Sequence, residues 1–406
     1  MPPLRQDLDV EVRILFVAMP DSVHTARWVR QVAGLGWDLH LFPVYHAWPH
    51  LELVDVTVHD GVFRYRPPGL NGSVRLRGIW PFRKWLQPML WLANHTRLRC
   101  DGKKLTKLVR RLKPDIVHSL EFQHSGYIAL EAKEKLGERF PRWVATNWGS
   151  DIYLFGRLKE HEDRIRRLLA ACDYYGCECQ RDVRLAQDLG LKGEVLPVLP
   201  NTGGFDLTYL QGLRQNGPPS GRRLIVLKGY QHWAGRALVG LRAITLCADV
   251  LRDYQVAVYS AEADVRIAAE LAARSTGLTI EAIPPCSHEQ MLRLYGSARA
   301  YIGLSISDAI STSLLEAMVM GAFPIQSCTS CADEWIVDGE SGILVPPEDP
   351  EPIAAALRRV VADDTLVDRA ADINARAAAE RLDQGVIRPQ VIAMYEKVAS
   401  KRQRAL

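Results

Sequence analysis

Two acids stand eight positions apart in "SISDAISTSLLEAMVMGAFPIQS", residues 305–327: Asp308 and Glu316, with Ser311, Thr312 and Ser313 between them. "AYIGLSI" (300–306) reads as a strand, "SDAIS" (307–311) as a loop and "TSLLEAMVMG" (312–321) as a short helix closed by Gly321. Asp308 then sits at a strand's carboxyl end and Glu316 about one turn into the helix. Helical side chains lean toward the helix N-terminus, so Glu316 points back at the Asp308 loop. Ser311 is an N-cap candidate, and the first amides of the helix form a ready anion site. A phosphate there, with hydroxyls on each side, would use every group. The alternative is that Asp308 caps a turn and Glu316 complements the helix dipole, a contribution of about 0.3–1 kcal/mol.

The elements that must position these residues alternate along the chain. "VRILFVAMP" (12–20) is a β-rich run, "HTARWVRQVAGLG" (24–36) carries apolar residues at helical spacing, and "WDLHLFPV" (37–44) is the next strand, a βαβ opening. The pattern recurs at "PDIVHSL" (114–120), "YIALEAKEKLG" and "RWVATNWGSD" (142–151), then restarts at "RRLIVLKGY" (222–230) with the helical "RALVGLRAITLCADVL" after it. Between the two runs lies the Gly-, Pro- and Asn-rich "LPNTGGFDLTYLQGLRQNGPPSG" (199–221), the composition of a domain junction. The expectation is an α/β protein of two Rossmann-like, doubly wound parallel sheets: residues 1–205, residues 206–385, and a last helical stretch over 386–406 that starts after Pro389. A length of 406 residues also favours two cores over one. Such sheets bind ligands at the carboxyl ends of their strands. In the first half, "MPDSVHTARW" puts Ser22, His24 and Thr25 at a helix start, and "HSLEFQHSGY" puts Glu121, His124 and Ser125 after a strand. His24 and His124 titrate near neutral pH and suit proton traffic, or else are packed; His118 is expected inside its strand.

A net charge of +4 is too small for a dedicated nucleic-acid binder, and no RNA-binding motif is present. The cations are uneven. From Arg75 to Lys113 lie Arg77, Arg83, Lys84, Arg97, Arg99, Lys103, Lys104, Lys107, Arg110 and Arg111 against the single acid Asp101, with Trp80, Trp85 and Trp91 interleaved. That stretch suits an anionic membrane surface, or a solvated helix pair. No apolar signal region or roughly 20-residue apolar run appears, so a cytoplasmic location is expected, peripheral on the inner face of the membrane if the basic stretch docks. The eight scattered cysteines suit reduced thiols; Cys328 and Cys331 form a lone C-x-x-C, a weak metal or redox signal.

The stretch from Ser307 to Leu357 resembles the carboxyl-terminal signature of glycosyltransferase family 4, retaining nucleotide-sugar transferases of GT-B architecture. Glu316, Ala317, Met318, Gly321, Pro324, Asp338, Gly339, Gly342, Leu344 and Pro346 fall on that pattern. "VHTARWVRQVAGLGWDLHLF" (23–42), "NWGSD" (147–151) and "VLPNTGGFD" (198–206) are similar to its amino-terminal segments and junction. The resemblance implies two domains facing across a cleft, with the carboxyl-terminal helix crossing back to the first. It implies that Glu316 holds the nucleotide's ribose, that Asp308 contacts the transferred sugar, and that the amides of Ser311, Thr312 and Ser313 meet the diphosphate. Lys228 and Arg236, in "LKGYQHWAGRA", stand where the family carries its phosphate-binding cations, and Cys286 in "PPCSHEQ" (284–290) stands near the base pocket. His24, His124, Trp148 and Asp151 fall on the acceptor side. Asp308 replaces the usual Glu, Ala309-Ile310-Ser311 the usual Gly-Phe-Gly, and Trp148 a frequent His.

The implied activity is transfer of a hexose from a nucleoside-diphosphate sugar to a lipid-linked or polysaccharide acceptor, with no metal or other cofactor. Transfer would retain the anomeric configuration. A nucleotide-sugar epimerase on the same fold, or a catalytically silent membrane scaffold, remains the alternative at this stage.

Overall fold

The structure, a computed structural model, describes residues 12–60, 66–78, 86–96 and 101–400. Arg83, Lys84, Arg97, Arg99, Trp80, Trp85 and Cys100 lie outside the described residues. The chain divides into two compact units: Met1–Glu178 with Asp182–Gly203 and Arg388–Leu406, and Gly204–Ile387 with the short excursion Cys179–Arg181.

In the first unit, β1 (Arg13–Ala18), β2 (Asp38–Pro43), β3 (Thr57–Val58), β4 (Arg75–Leu76), β5 (Ile116–Leu120), β6 (Arg142–Thr146), β7 (Tyr174–Gly176) and β8 (Glu194–Val195) form one sheet in the order β4-β3-β2-β1-β5-β6-β7-β8. Neighbouring strands among the described residues run parallel, as where Ile14 pairs with Ile116. Helices α1 (Val23–Arg30), α2 (Leu86–His95), α3 (Gly102–Leu112), α4 (Tyr127–Leu136), α5 (Lys159–Ala171) and α6 (Gln180–Asp188) connect the strands. The strands are buried over nearly their whole length, so Leu15, Val17, Val117, Trp143 and Tyr175 pack against α3–α5 side chains such as Leu105, Leu130 and Leu168.

The second unit repeats the architecture with β9 (Leu224–Lys228), β10 (Gln255–Tyr259), β11 (Thr279–Ala282), β12 (Ala300–Gly303), β13 (Phe323–Ser327) and β14 (Ile343–Val345) in the order β11-β10-β9-β12-β13-β14. Its helices are α7 (Leu207–Gln211), α8 (Ala237–Leu246), α9 (Ala263–Thr276), α10 (His288–Ser297), α11 (Thr312–Val319), α12 (Pro350–Ala362) and α13 (Asp364–Arg381). One apolar layer joins Ile225, Val256, Ile302 and Ile325 to α8 and α12, and another joins Val226, Tyr301 and Leu315 to α10 and α11. Helices therefore cover both faces of the sheet, which is what an all-parallel sheet requires.

The last helix, α14 (Gln384–Ser400), begins ahead of Pro389 instead of after it. Pro389 lies early in the helix, so the missing amide removes one bond, to the Gly385 carbonyl. Packing outweighs that loss: Val391, Tyr395 and Val398 are fully buried. Residues from Arg388 onward belong to the first unit, where Arg388 donates to the carbonyls of Gln31 (3.1 Å) and Ala33 (2.7 Å). Arg142 donates to the carbonyls of Val398 and Ala399, and Trp28 Nε1 donates to Tyr395 Oη at 2.9 Å. His118 is buried in β5 as expected, with Nδ1 2.6 Å from Tyr395 Oη and Nε2 2.7 Å from Thr146 Oγ1.

Candidate active site

Strand order in the second unit reverses between β9 and β12, and the crevice outside that reversal is where open parallel sheets bind ligands. Lys228 ends β9 and the Asp308 loop follows β12. Burial acts to lower the Lys228 pKa, but Tyr301, Asp308, Tyr230 and Glu316 together raise it, so the ammonium stays charged. Its Nζ lies 4.6 Å from the Tyr230 ring centroid, a cation–π contact that fixes the side chain. Asp308 Oδ1 accepts from the Ala309 amide at 2.9 Å. The Asp308 carbonyl accepts from Arg181 Nη2 at 2.7 Å, and Arg181 Nη1 donates to the Thr329 carbonyl at 3.1 Å.

Helix α11 brings Glu316 to the same place. Its side chain is 8% exposed, and its Oε1 lies 2.7 Å from His288 Nε2 at the start of α10. Ser311 occupies the N-cap position in extended conformation, yet its side chain makes no cap bond; it is buried against the Tyr301 phenol. The expected capping by that hydroxyl is thus corrected: Ser311 Oγ is buried and takes no amide of the first turn. The first-turn amides at Thr312 and Ser313 are left without a side-chain cap, which suits an anion. Beneath them, the rings of Tyr259, Tyr295 and Tyr301 meet edge-to-face at 5.7 Å and wall off the site's floor. Gly321, at φ +80°, ends the α11 turn in a conformation that favours glycine.

Arg236 stands at the start of α8, and its amide donates to the Leu304 carbonyl at 3.1 Å, which ties this loop to the end of β12. Within the loop Gly235 packs onto the Tyr230 backbone, where a Cβ would lie 2.2 Å from the carbonyl oxygen. The Arg236 guanidinium is engaged: Nε donates to Glu348 at 3.0 Å and Nη1 to the Gly235 carbonyl at 2.8 Å. Cys286 is exposed in the loop before α10.

The first unit carries a second cluster at its own strand reversal, between β1 and β5. Glu121 follows β5 with φ 73° and ψ 159°, a strained backbone for a side chain with a Cβ. Its carboxylate compensates by accepting from the amides of His124 (2.7 Å) and Ser125 (2.6 Å) in a π-turn over Phe122–Gly126. The His124 ring stands 57% exposed above it, with Nδ1 3.4 Å from Glu121 Oε2. Asp151 Oδ2 accepts from the amides of Phe122 (2.9 Å) and Trp148 (2.7 Å). Burial, aided by Glu121, raises the Asp151 pKa well above its ordinary value. Trp148 packs edge-on to His24 at 5.6 Å. His24, Trp148, Asp151 and His124 are thereby joined in one chain of contacts.

Residues 255–379 match the family described as glycosyl transferases group 1, and residues 96–175 match glycosyl transferase 4-like, so a match falls within each unit. Both matches are to glycosyltransferase models, and both sheets have the parallel architecture of the GT-B fold. A 113-residue segment is 32% identical to D-inositol 3-phosphate glycosyltransferase of Nocardioides sp., covering 27% of this chain and 25% of that relative. The GT-B fold is shared with sucrose-phosphate synthase from Thermosynechococcus elongatus, at TM-score 0.71 and 14% identity over 96% of this chain and all of that one. An α,α-trehalose-phosphate synthase from Burkholderia vietnamiensis gives TM-score 0.70 at 13% identity, over 97% and 99% of the two chains. Anabaena HepE, solved in complex with UDP-glucose, gives 0.64 at 12%, over 95% and 99%.

The second unit gathers Lys228, Asp308, Ser311 and Glu316 around one crevice, while Arg236 is held by Glu348. His288 was not singled out from the sequence, although it stands two residues after Cys286. Its capping box, Ser287 with Gln290, was the available signal that a helix starts there and aims a histidine. The C-x-x-C is not assembled as a site: Cys328 is exposed, while Cys331, turned inward at φ 46°, is buried with its sulfur 3.1 Å from that of Cys179. No helix among the described residues is long and apolar enough to cross a membrane.

Proposed function

We propose that the protein is a retaining glycosyltransferase of family 4 that transfers a hexose from a nucleoside-diphosphate sugar to a lipid-linked or polysaccharide acceptor. The observation that carries the reading is the Lys228 ammonium, held charged by Tyr301, Asp308 and Glu316 beside the uncapped first turn of α11. A leaving diphosphate gains negative charge as the glycosidic bond breaks, and Lys228 with the Thr312 and Ser313 amides meets it. Glu316, an acceptor-only group, takes the ribose hydroxyls, and Asp308 takes hydroxyls of the sugar. Arg236 joins the phosphate only by exchanging Glu348 for it, which makes Lys228 the principal cation. Positive charge from side chains and amides serves where a metal otherwise would, so no metal is included in the proposal.

On the acceptor side, His124 and His24 flank Trp148 and Asp151 in the first unit, a histidine-and-tryptophan surface suited to a sugar ring. A membrane-borne acceptor fits α2 and α3. Helix α2 exposes Trp91 and Leu92, and α3 buries Leu105, Leu108 and Val109 while exposing Lys103, Lys107, Arg110 and Arg111.

A thermal-shift panel of UDP-, GDP- and ADP-sugars tests the donor reading, since a ligand at about 100 times its Kd adds roughly 2.7 kcal/mol. One of the three raises the melting temperature, and Lys228→Ala removes the shift. A panel without any shift, or an unchanged shift in Lys228→Ala, refutes it.

A further inference from the structure

His288 makes a contact that the donor reading does not require. Its backbone is fixed by a capping box: Ser287 Oγ accepts from the Gln290 amide, and the Gln290 side chain accepts from the Ser287 amide. The next acid on α10, Glu289, is turned outward, where it meets Arg293 (2.9 Å) and Tyr209 (3.0 Å). His288 reaches α11, placing Nε2 2.7 Å from Glu316 Oε1. The carboxylate is almost wholly buried, whereas the histidine ring is 41% exposed, so the histidine reaches in from the rim.

A carboxylate matches two vicinal hydroxyls only in one orientation about its last torsion. Left to rotate, it must lose that freedom on binding; held beforehand, it does not. We propose that His288 is a positioning residue: Nε2 donates to Glu316 Oε1 and holds the carboxylate in the orientation that accepts from the ribose hydroxyls of a nucleoside diphosphate. The proposal rests on the reading of this crevice as the donor site. It assigns α10 the task of setting the α11 acid, and it makes ribose recognition depend on a residue that need not touch the nucleotide.

A binding cycle tests it. Calorimetry on the full chain compares the tightest-binding of UDP, GDP and ADP with its 2′-deoxy counterpart. His288→Ala weakens the ribonucleotide by about 10-fold, the worth of one charge-assisted hydrogen bond, and changes the deoxynucleotide by less than about 2-fold. His288→Gln, whose amide donates to the same oxygen, recovers affinity to within about 3-fold of the unsubstituted protein. His288→Leu, which keeps bulk and removes the donor, behaves as His288→Ala, so a packing defect in one variant does not decide the result. Equal losses for both nucleotides, no loss for either, or no recovery with glutamine overturns the proposal while leaving the donor site standing. Failure of the unsubstituted protein to bind any of the three diphosphates overturns the donor reading itself.

Discussion

Replacing Tyr395 with phenylalanine removes one oxygen from the centre of the first unit, and the structure says what that oxygen does. Trp28 Nε1 donates to it at 2.9 Å, so its own proton goes to His118 Nδ1 at 2.6 Å, and His118 Nε2 donates to Thr146 Oγ1 at 2.7 Å. The chain of donors fixes the histidine as the neutral Nε2–H tautomer. Tyr395→Phe leaves the Trp28 donor and the His118 acceptor without a partner, in surroundings where Tyr395 and His118 are fully buried. Each orphaned group costs about 1–3 kcal/mol and the ring is kept, so the expected loss for the two is about 2–6 kcal/mol. For a unit of this size that is a fall of roughly 4–24 °C in its melting transition. Urea titration followed by tryptophan fluorescence measures it. A loss below about 0.5 kcal/mol would refute the donor chain and the α14 anchoring inferred from it.

Two further outcomes follow from features of the first unit. Burial lowers the His118 pKa from 6.5 to about 3, so its contribution is fully present above pH 6.5 and is lost as pH falls toward 3. At about 1.4 kcal/mol per unit, roughly 3 kcal/mol is gone by pH 4.5. Asp151, with its raised pKa, works in the opposite sense by holding its proton in the folded state, so denaturation of His118→Gln beside the unsubstituted protein across this range isolates the histidine. Replacing exposed Trp91 and Leu92 with serine weakens sedimentation with vesicles containing anionic lipid by about 10-fold or more and leaves nucleotide binding unchanged. Equal sedimentation would count against membrane docking through α2.

The βαβ rhythm, the two parallel sheets and the loop carrying Asp308 were legible because each rests on local spacing: a β-rich run, an amphipathic helix, a glycine stop. What was not legible depends on contacts remote in sequence. His288 meets Glu316 across 28 positions, and Tyr395 meets His118 across 277. Pro389 looked like a helix start because a proline favours first turns, yet apolar burial on either side carries α14 through it. Ser311 looked like a cap because serine prefers that place, but its hydroxyl is buried away from the first-turn amides. The family resemblance supplied roles for Lys228 and Glu316 that residue types alone left open. It did not supply the Arg236–Glu348 ion pair, which belongs to this chain's own side chains.

The first unit's dependence on residues 388–400 bears on synthesis. A ribosome releases the amino-terminal half first, and domains ordinarily fold in that order. Here the polypeptide for β1–β8 emerges with the places of Val391, Tyr395 and Val398 vacant, and they stay vacant while all of Gly204–Ile387 is translated. The unit encoded second is therefore the first whose core can be completed. Until α14 arrives, Phe16 lacks the Tyr395 ring that packs against it and Trp28 Nε1 lacks its acceptor.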